Sequence, residues 1–257
     1  MAPNESAGRT LGVALGVCLV CSLLVSAAAV SLRPRQMRNM LLDRRTNVVR
    51  AAGLMHPDRS IEEQYERIRA RVVDLATGEY VDVDPADFDQ RSAARDPDRS
   101  VTIPGDRDVA DIRRRAQQAT VYLVEEDGRV DRIVFPVHGL GLWSVMYGFV
   151  ALDASDLNTI RGLVFYEHGE TPGLGGEIDN PRWQAQWEGK KVFGPEGDLR
   201  ISVVKGPVDP EREGAEYRVD GLSGATLTSR GVERMLHYWL SENGFGEYID
   251  RIRQRGV

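Results

Sequence analysis

The stretch RVDGLSGATLTSRGVERML (218–236) joins a run of small and hydroxyl residues to the start of an amphipathic helix. We expect this helix to begin near Arg230, where Thr228 or Ser229 can cap it. Its apolar positions are Val232, Met235, Leu236, Tyr238, Trp239 and Leu240. Because they crowd one broad face, the pattern predicts a helix that packs on a larger apolar surface.

The residues just before this helix have very small side chains. Ser223, Gly224 and Ala225 lead to Thr226, and the backbone at Gly224 and Ala225 can be approached closely. A helix N-terminus carries partial positive charge and free N–H groups, which suit a phosphate. The segment is equally consistent with a plain Ser/Thr capping loop. The residues alone therefore leave two interpretations open, a phosphate seat beside a hydroxyl and a structural turn.

Alternating and β-rich runs elsewhere in the chain predict a sheet. ATVYLVEED and RVDRIVFPV flank the turn EDGR, which is a hairpin signal. Further strands are predicted at WSVMYGFVALD, TIRGLVFYEH, RISVVKG and AEYRVDGL, and further helices at RWQAQW and GEYIDRIRQRG. The fold class that follows is α+β, with a mainly antiparallel sheet and flanking helices.

Three segments before this sheet have less regular patterns. IEEQYERIRARVVDLATGEYV (61–81) predicts a helix followed by a strand. Residues 83–107 are rich in Asp, Arg, Pro and Ser, which favours a long loop or an insertion. VADIRRRAQQA (109–119) predicts a short helix. We expect residues 61–257 to form one soluble domain with its own core.

The N-terminal part predicts a membrane anchor. Residues 11–32 contain no charged residue, and about 20 apolar residues are enough to cross a bilayer as a helix. Residues 1–10 would be a tail and residues 33–60 a basic, partly helical stalk. A signal peptide cleaved around Ala27–Ala29 is the alternative, but the apolar run is longer than is usual for one and only Arg9 precedes it. Cys18 and Cys21 lie inside this run and are expected to be small apolar residues of the span.

The charges of the chain limit its partners and its orientation. A net charge of −6 argues against nucleic-acid binding. Arg33, Arg35 and Arg38 follow the span, so the positive-inside rule favours a cytoplasmic C-terminal domain, although the rule weakens for long translocated domains. The four histidines show no ligand spacing, and we predict no metal site.

The segment DGLSGATLTS (220–229) resembles the flavinylation motif of the FMN-binding domains of bacterial respiratory complexes. In that family a flavin transferase esterifies the FMN phosphate to the threonine that closes Ser-Gly-Ala-Thr. The resemblance implies covalent FMN on Thr226, with Thr228 as the second choice. It also implies that Asp220 and the three residues before Thr226, which are Ser223, Gly224 and Ala225, contribute to cofactor binding.

Two other segments extend this resemblance. YEHGETPGLGGEI (166–178) is similar to the glycine-rich loop of the same domain, and its predicted cofactor-binding residues are Glu170, Thr171, Gly173, Leu174 and Gly175. The glycines permit a tight turn against a flat ring, and Glu170 and Thr171 would meet its polar edge. The alternative is a surface turn. This Gly-x-Gly-Gly pattern differs from the dinucleotide fingerprint Gly-x-Gly-x-x-Gly.

HGLGLWSVMYGFVAL (138–152) resembles a signature of the C subunit of sodium-translocating NADH:quinone reductases. Leu140 is a departure, because a lysine is common there in that family. Trp143, Met146 and Tyr147 are candidates to stack on the isoalloxazine, although aromatic and Met residues in an apolar run more often fill the core. Lys205 would place a positive charge near the ring or lie solvated at a strand end.

The resemblance implies a flavin electron carrier. It would relay electrons between cofactors of partner subunits (types A, B, D, E and F), coupled to Na⁺ export, from a single-pass chain of the bacterial inner membrane. The family places the flavin domain in the periplasm, against the arginine bias. Two alternatives share the sequence features: the G subunit of the Rnf complex, and a membrane-anchored module that binds an anion without covalent flavin. A hydrolase using Ser223 or Ser229 lacks a Gly-x-Ser-x-Gly elbow.

Overall fold

A computed structural model describes residues 7–256, so residues 1–6 of the predicted tail lie outside it. The chain divides into two compact units, Met1–Arg44 and Arg45–Val257. In the first, residues 7–44 belong to helix α1 (Ala7–Ala51), which includes the predicted span. By length and composition, α1 is apolar enough to cross a membrane. Much of the predicted stalk is therefore helical, and the second unit begins earlier than the predicted boundary at residue 61.

The second unit is built on a six-stranded antiparallel sheet in the order β2-β1-β5-β6-β7-β8. Its strands are β1 (Ile68–Asp74), β2 (Tyr80–Val81), β5 (Gln118–Glu126), β6 (Arg129–Leu140), β7 (Val145–Asp153) and β8 (Ile160–Glu167). The predicted hairpin joins β5 to β6, where Asp127 and Gly128 both have positive φ, as a tight primed turn requires. The antiparallel α+β fold is confirmed.

Smaller elements surround this sheet. Two short pairs lie outside it: β3 (Ser100–Thr102) with β4 (Arg114–Ala116), antiparallel, and β9 (Ser202–Val204) with β10 (Arg218–Asp220), parallel. The remaining helices are α2 (Ile61–Tyr65), α3 (Gln90–Arg95), α4 (Pro181–Ala185), α5 (Thr226–Trp239) and α6 (Gly246–Arg255). Two 3₁₀ turns, Gly175–Asp179 and Ala215–Tyr217, precede α4 and β10.

Each face of the main sheet has its own core. Alternate residues of β6 and β7, such as Phe135 and Val150, join the apolar faces of α4, α5 and α6 in the larger core. On the opposite face the C-terminal turns of α1 pack against Tyr122, Phe149 and Val164. The fully buried residues there are Val48, Val49, Ala51 and Ala52. The last part of α1 is thus a component of the domain core.

Two predicted elements differ in the structure. Residues 109–119 do not form a helix: the Asp108 carboxylate accepts the N–H groups of Ile112 and Arg113, and Arg113 has φ +64°. This turn leads directly into β4 and β5. Residues 83–107 were expected to be a loop but include α3, whose N-terminus is capped by the Asp89 carboxylate, and β3.

Candidate functional site

Helix α5 begins four residues earlier than expected, at Thr226. Its N-cap residue is Ala225, and within residues 7–256 no side chain caps it. Thr226 is exposed, whereas Thr228 and Ser229 are buried. Neither of the two predicted caps acts as one, because Thr228 donates to Glu170 and the Ser229 Oγ accepts the Leu222 N–H. An exposed hydroxyl therefore lies in an uncapped first turn, where N–H groups favour an anion.

The carboxylate of Glu170 connects the segments that form the site. Its side chain is buried, and its carboxylate accepts the Thr228 hydroxyl at 2.5 Å. The same carboxylate accepts backbone N–H groups from Leu142 at 3.1 Å and Trp143 at 2.9 Å. Burial opposes ionisation, but these hydrogen bonds, Thr228 first, outweigh it and lower the pKa of Glu170 below its ordinary value. Glu170 is thus a charged anchor for two loops and α5, rather than a free partner for a ring edge.

The glycine-rich loop contacts the Ser-Gly-Ala-Thr segment directly. Gly173 and Gly224 both have positive φ, and a Cβ at Gly224 would lie 3.0 Å from the Leu174 side chain. The Thr171 carbonyl closes the loop by accepting the N–H groups of Leu174 and Gly176. Two segments that are far apart in the sequence therefore form one surface beside Thr226.

Close packing at Gly175 holds this surface against α5. A Cβ there would lie 2.5 Å from the Thr228 Oγ1 and 2.8 Å from the Glu170 Oε2. We expect Gly175→Ala to reduce the free energy of unfolding by about 1–3 kcal/mol, since neither atom can retreat without breaking their hydrogen bond. Thermal unfolding of the full chain measures this. Gly105→Ala is the control, because Gly105, like Gly175, does not have a positive φ, and nothing lies within 4 Å of its Cβ position; an equal loss in both variants would contradict the packing argument.

Exposed apolar side chains lie on the segments that meet near Thr226. Trp143 is 69% exposed and Leu227, which follows Thr226, is 51% exposed. Leu142 and Leu174 are also exposed. Leu142 and Leu227 were not predicted, because a single apolar residue in a loop or first helical turn gives no periodic signal. Exposed apolar side chains of this kind suit contact with a flat aromatic ring.

The remaining predicted site residues differ in their burial and in the contacts that they make. Met146 is fully buried in the core beneath the loop. The Tyr147 ring stacks on His138, with centroids 5.4 Å apart, and Arg91 lies 3.6 Å over it. The Asp220 carboxylate accepts the Val208 N–H at 2.8 Å, which fixes the loop after β9. Lys205 is exposed and its backbone lies beside Gly221, close to the Thr226 segment.

Two further features lie apart from this arrangement. A surface cavity of about 630 Å³ is lined by Arg200, Ser202, Arg212, Glu213, Gly214, Tyr217 and Arg218. None of the predicted site residues lines it. No group of three or more His, Cys, Asp or Glu residues within 7–256 is placed to hold a metal ion.

The site residues fit FMN. The exposed Thr226 hydroxyl and the uncapped turn suit the phosphate, the glycines allow close approach, and the apolar rim suits the ring. The family described as "FMN-binding domain" matches residues 141–241, which contain both loops and α5. FMN is thus the cofactor of this domain.

Three relatives that span nearly the whole chain carry one name. The C subunit of the Na(+)-translocating NADH-quinone reductase of Pseudomonas aeruginosa is 50% identical over 259 residues, covering 99% of each chain. The C subunits of the same reductase from Vibrio vulnificus and from Neisseria meningitidis serogroup A are 47% and 48% identical and cover at least 97% of each chain.

Solved structures agree with these relatives. The crystal structure of Shewanella oneidensis NqrC matches with a TM-score of 0.77 at 36% identity, covering 86% of this chain and 99% of that one. The C subunit of the reductase from Parabacteroides distasonis matches with a TM-score of 0.65 at 31% identity, covering 85% and 96%. Of the predicted families, the C subunit and the Rnf G subunit, the comparisons support the first. The chain therefore belongs to the family of C subunits of Na(+)-translocating NADH-quinone reductases.

Proposed function

We propose that this chain carries FMN covalently, through a phosphodiester between the FMN phosphate and the Thr226 hydroxyl. The observation that carries the proposal is the exposure of Thr226 in the uncapped first turn of α5. Thr228 has the same chemistry but is buried and bonded to Glu170. A flavin transferase would reach Thr226 without opening the fold, whereas Thr228 would first have to leave its hydrogen bond.

The loops around Thr226 would hold the ring. Trp143 and Leu174 offer apolar contact on the segments joined by Glu170, while the first-turn N–H groups of α5 stabilise the phosphate charge. Lys205 would supply a positive charge that favours the reduced, anionic flavin. The flavin, when bound, supplies reversible electron transfer. Thr171, Gly173 and Gly175 shape the turn on which the ring would lie, so the chain's own part is binding and positioning.

In the complex this protein would act as an electron carrier. It would pass electrons between cofactors of the other subunits, in a process coupled to Na⁺ export, while NADH and quinone react elsewhere. A covalent tether suits a carrier, because the cofactor cannot be lost when the domain moves. The apolar part of α1 would anchor the chain in the bacterial inner membrane. We propose a periplasmic position for residues 45–257, as the family resemblance implies and against the arginine bias.

Denaturing gel electrophoresis tests covalent attachment directly. The full chain is expressed with and without a bacterial flavin transferase, denatured, and viewed under ultraviolet light. A fluorescent band that appears only with the transferase is the expected result. If the flavin is instead released on denaturation, the chain binds FMN reversibly and the phosphodiester proposal fails. If no flavin accompanies the chain before denaturation either, the module that binds an anion without flavin becomes the better description.

A further inference from the structure

Arg91 reaches from α3 to the strand ends that lead into the candidate site. Its Nη1 lies 2.8 Å from the Glu167 Oε2, and its guanidinium lies 3.6 Å over the Tyr147 ring. A second ring, Tyr166, lies 5.6 Å away. Arg91 is outside the region that matches the FMN-binding domain family, in a segment that carries no functional motif of its own.

Tyr147 and Glu167 are register partners between β7 and β8. The register shifts between Tyr147 and Gly148, so this pair is separated from the regular ladder. Strand β8 is also an edge strand, with a neighbour on one side only. Such a terminal pair after a bulge is weakly held by backbone hydrogen bonds alone, and Arg91 bridges its two side chains.

Both site loops lie next to this pair in the chain, the first before Tyr147 and the second after Glu167. Ser144, at the end of the first loop, lies three residues before Tyr147, and its hydroxyl accepts the Gly169 N–H at 2.5 Å. The second loop leaves β8 immediately after Glu167 and places Glu170 under the site. Movement of the Tyr147–Glu167 pair would therefore be transmitted to the carboxylate that holds Trp143 and Thr228.

Arg91 itself is firmly placed. The Asp89 carboxylate accepts the Arg91 N–H at 2.9 Å, and the α3 residue Ala93 is buried with Phe88, Val72 and Ala116. Because the Arg91 side chain remains 36% exposed, its ion pair alone would contribute little. The ring contact adds to it, since a guanidinium that lies over an aromatic face is attracted by the ring as well.

We propose that Arg91 is a positioning residue, which locks the Tyr147–Glu167 pair and thereby fixes the two loops that hold the flavin ring. The loop part of this proposal stands on the contacts above. Its consequence for the flavin rests on the proposed function. Two measurements test the ordering of the loops and the effect on the flavin separately.

The first measurement uses the full chain in detergent, produced without flavin transferase. Hydrogen–deuterium exchange is followed in residues 141–144 and 168–176 for the wild type, Arg91→Met and Arg91→Lys. We expect the backbone amides of both loops to exchange about fivefold faster in Arg91→Met, because this variant loses the weak ion pair with Glu167 and the contact with the Tyr147 ring. Arg91→Lys keeps the charge but not the planar fork, so its exchange should lie between the two.

Arg69→Met is the matched control. Arg69 also makes an exposed ion pair between neighbouring strands of this sheet, at 2.9 Å to Glu125, but on β1 and β5, which β6 separates from β7 and β8. It should leave exchange in the two loops unchanged. Glu167→Gln removes the partner charge from the opposite side and should accelerate both loops as Arg91→Met does. Wild-type exchange in both Arg91→Met and Glu167→Gln would overturn the proposal.

The second measurement uses the flavin-loaded chain. The midpoint potential and visible absorption spectrum of FMN should change in Arg91→Met, stay unchanged in Arg69→Met, and return toward the wild type in Arg91→Lys. Faster loop exchange with an unchanged potential and spectrum would reduce Arg91 to a structural role and overturn its positioning of the flavin. If the wild type binds no flavin, the proposed function fails. The exchange measurement alone then tests whether Arg91 fixes the Tyr147–Glu167 pair and the two loops.

Discussion

Thr226→Val is expected to abolish the covalent flavin band completely. Valine has nearly the shape of threonine but no hydroxyl, so no phosphodiester can form at this position. Thr226 is exposed and its side chain caps nothing in the described part of α5, so the free energy of unfolding should change by only about 0.5 kcal/mol. Denaturing electrophoresis with the transferase present, together with thermal unfolding, measures both effects.

Two neighbouring hydroxyls provide controls for Thr226→Val. Ser223→Ala removes another exposed hydroxyl of the same motif and should keep the band. Thr228→Val removes a buried donor to Glu170, so it should cost about 1–2 kcal/mol of stability and still keep the band. Loss of the band with Thr228→Val alone would move the attachment to Thr228 and contradict our assignment.

Glu170→Gln is expected to have the largest effect on stability, about 2–3 kcal/mol at neutral pH. The charged carboxylate accepts one hydroxyl and several backbone N–H groups, and bonds to a buried charge are among the stronger ones. A glutamine amide brings its own N–H₂ toward donors that then lack an acceptor. Thermal unfolding of the flavin-free chain measures the loss, and Glu177→Gln, a half-buried glutamate of the same loop region, is the control.

The difference between wild type and Glu170→Gln should depend on pH. Because the pKa of Glu170 is lowered in the folded chain, the ionised carboxylate stabilises the fold fully above the ordinary glutamate pKa. This stabilisation is lost as pH falls through the lowered pKa of the folded chain. The two melting temperatures should therefore converge on acidification below the ordinary value. A difference that stays constant from neutral to acidic pH would show that the charge of Glu170 is not the source of its stabilising effect.

Local patterns predicted the main sheet and its helices well. The hairpin between β5 and β6 follows from a local turn signal, and the α5 face follows from local spacing. The error at residues 109–119 has a different origin. The arginines and alanines of this segment favour a helix, yet Arg114–Ala116 pair with Ser100–Thr102, and that partner cannot be recognised from composition. The start of α5 was also misplaced, because Thr228 bonds to Glu170 instead of capping.

The candidate site likewise has a part that a local pattern predicts and a part that depends on contacts between distant residues. The motif around Thr226 is contiguous, so the sequence indicates it directly. The role of Glu170 depends on Thr228, 58 residues further along the chain, and that of Arg91 depends on Glu167, 76 residues further along. Neither distance is encoded in a local pattern. Leu227 was missed for another reason. The feature that distinguishes it is the exposure of its side chain, and exposure leaves no periodic pattern in the sequence.

The burial of the last turns of α1 has a practical consequence for cutting the chain. Val48, Val49, Ala51 and Ala52 fill one face of the sheet, and the Arg132 guanidinium donates to the Ala52 carbonyl. A soluble fragment that starts at residue 45 keeps this face covered. One that starts at residue 61, the boundary predicted from the sequence pattern, leaves Phe149 and Val164 open to water and to other copies. Helix α1 thus supplies both the apolar span and the residues that cover this face of the sheet. Protease cleavage leaves the face covered only when it occurs on the N-terminal side of those residues.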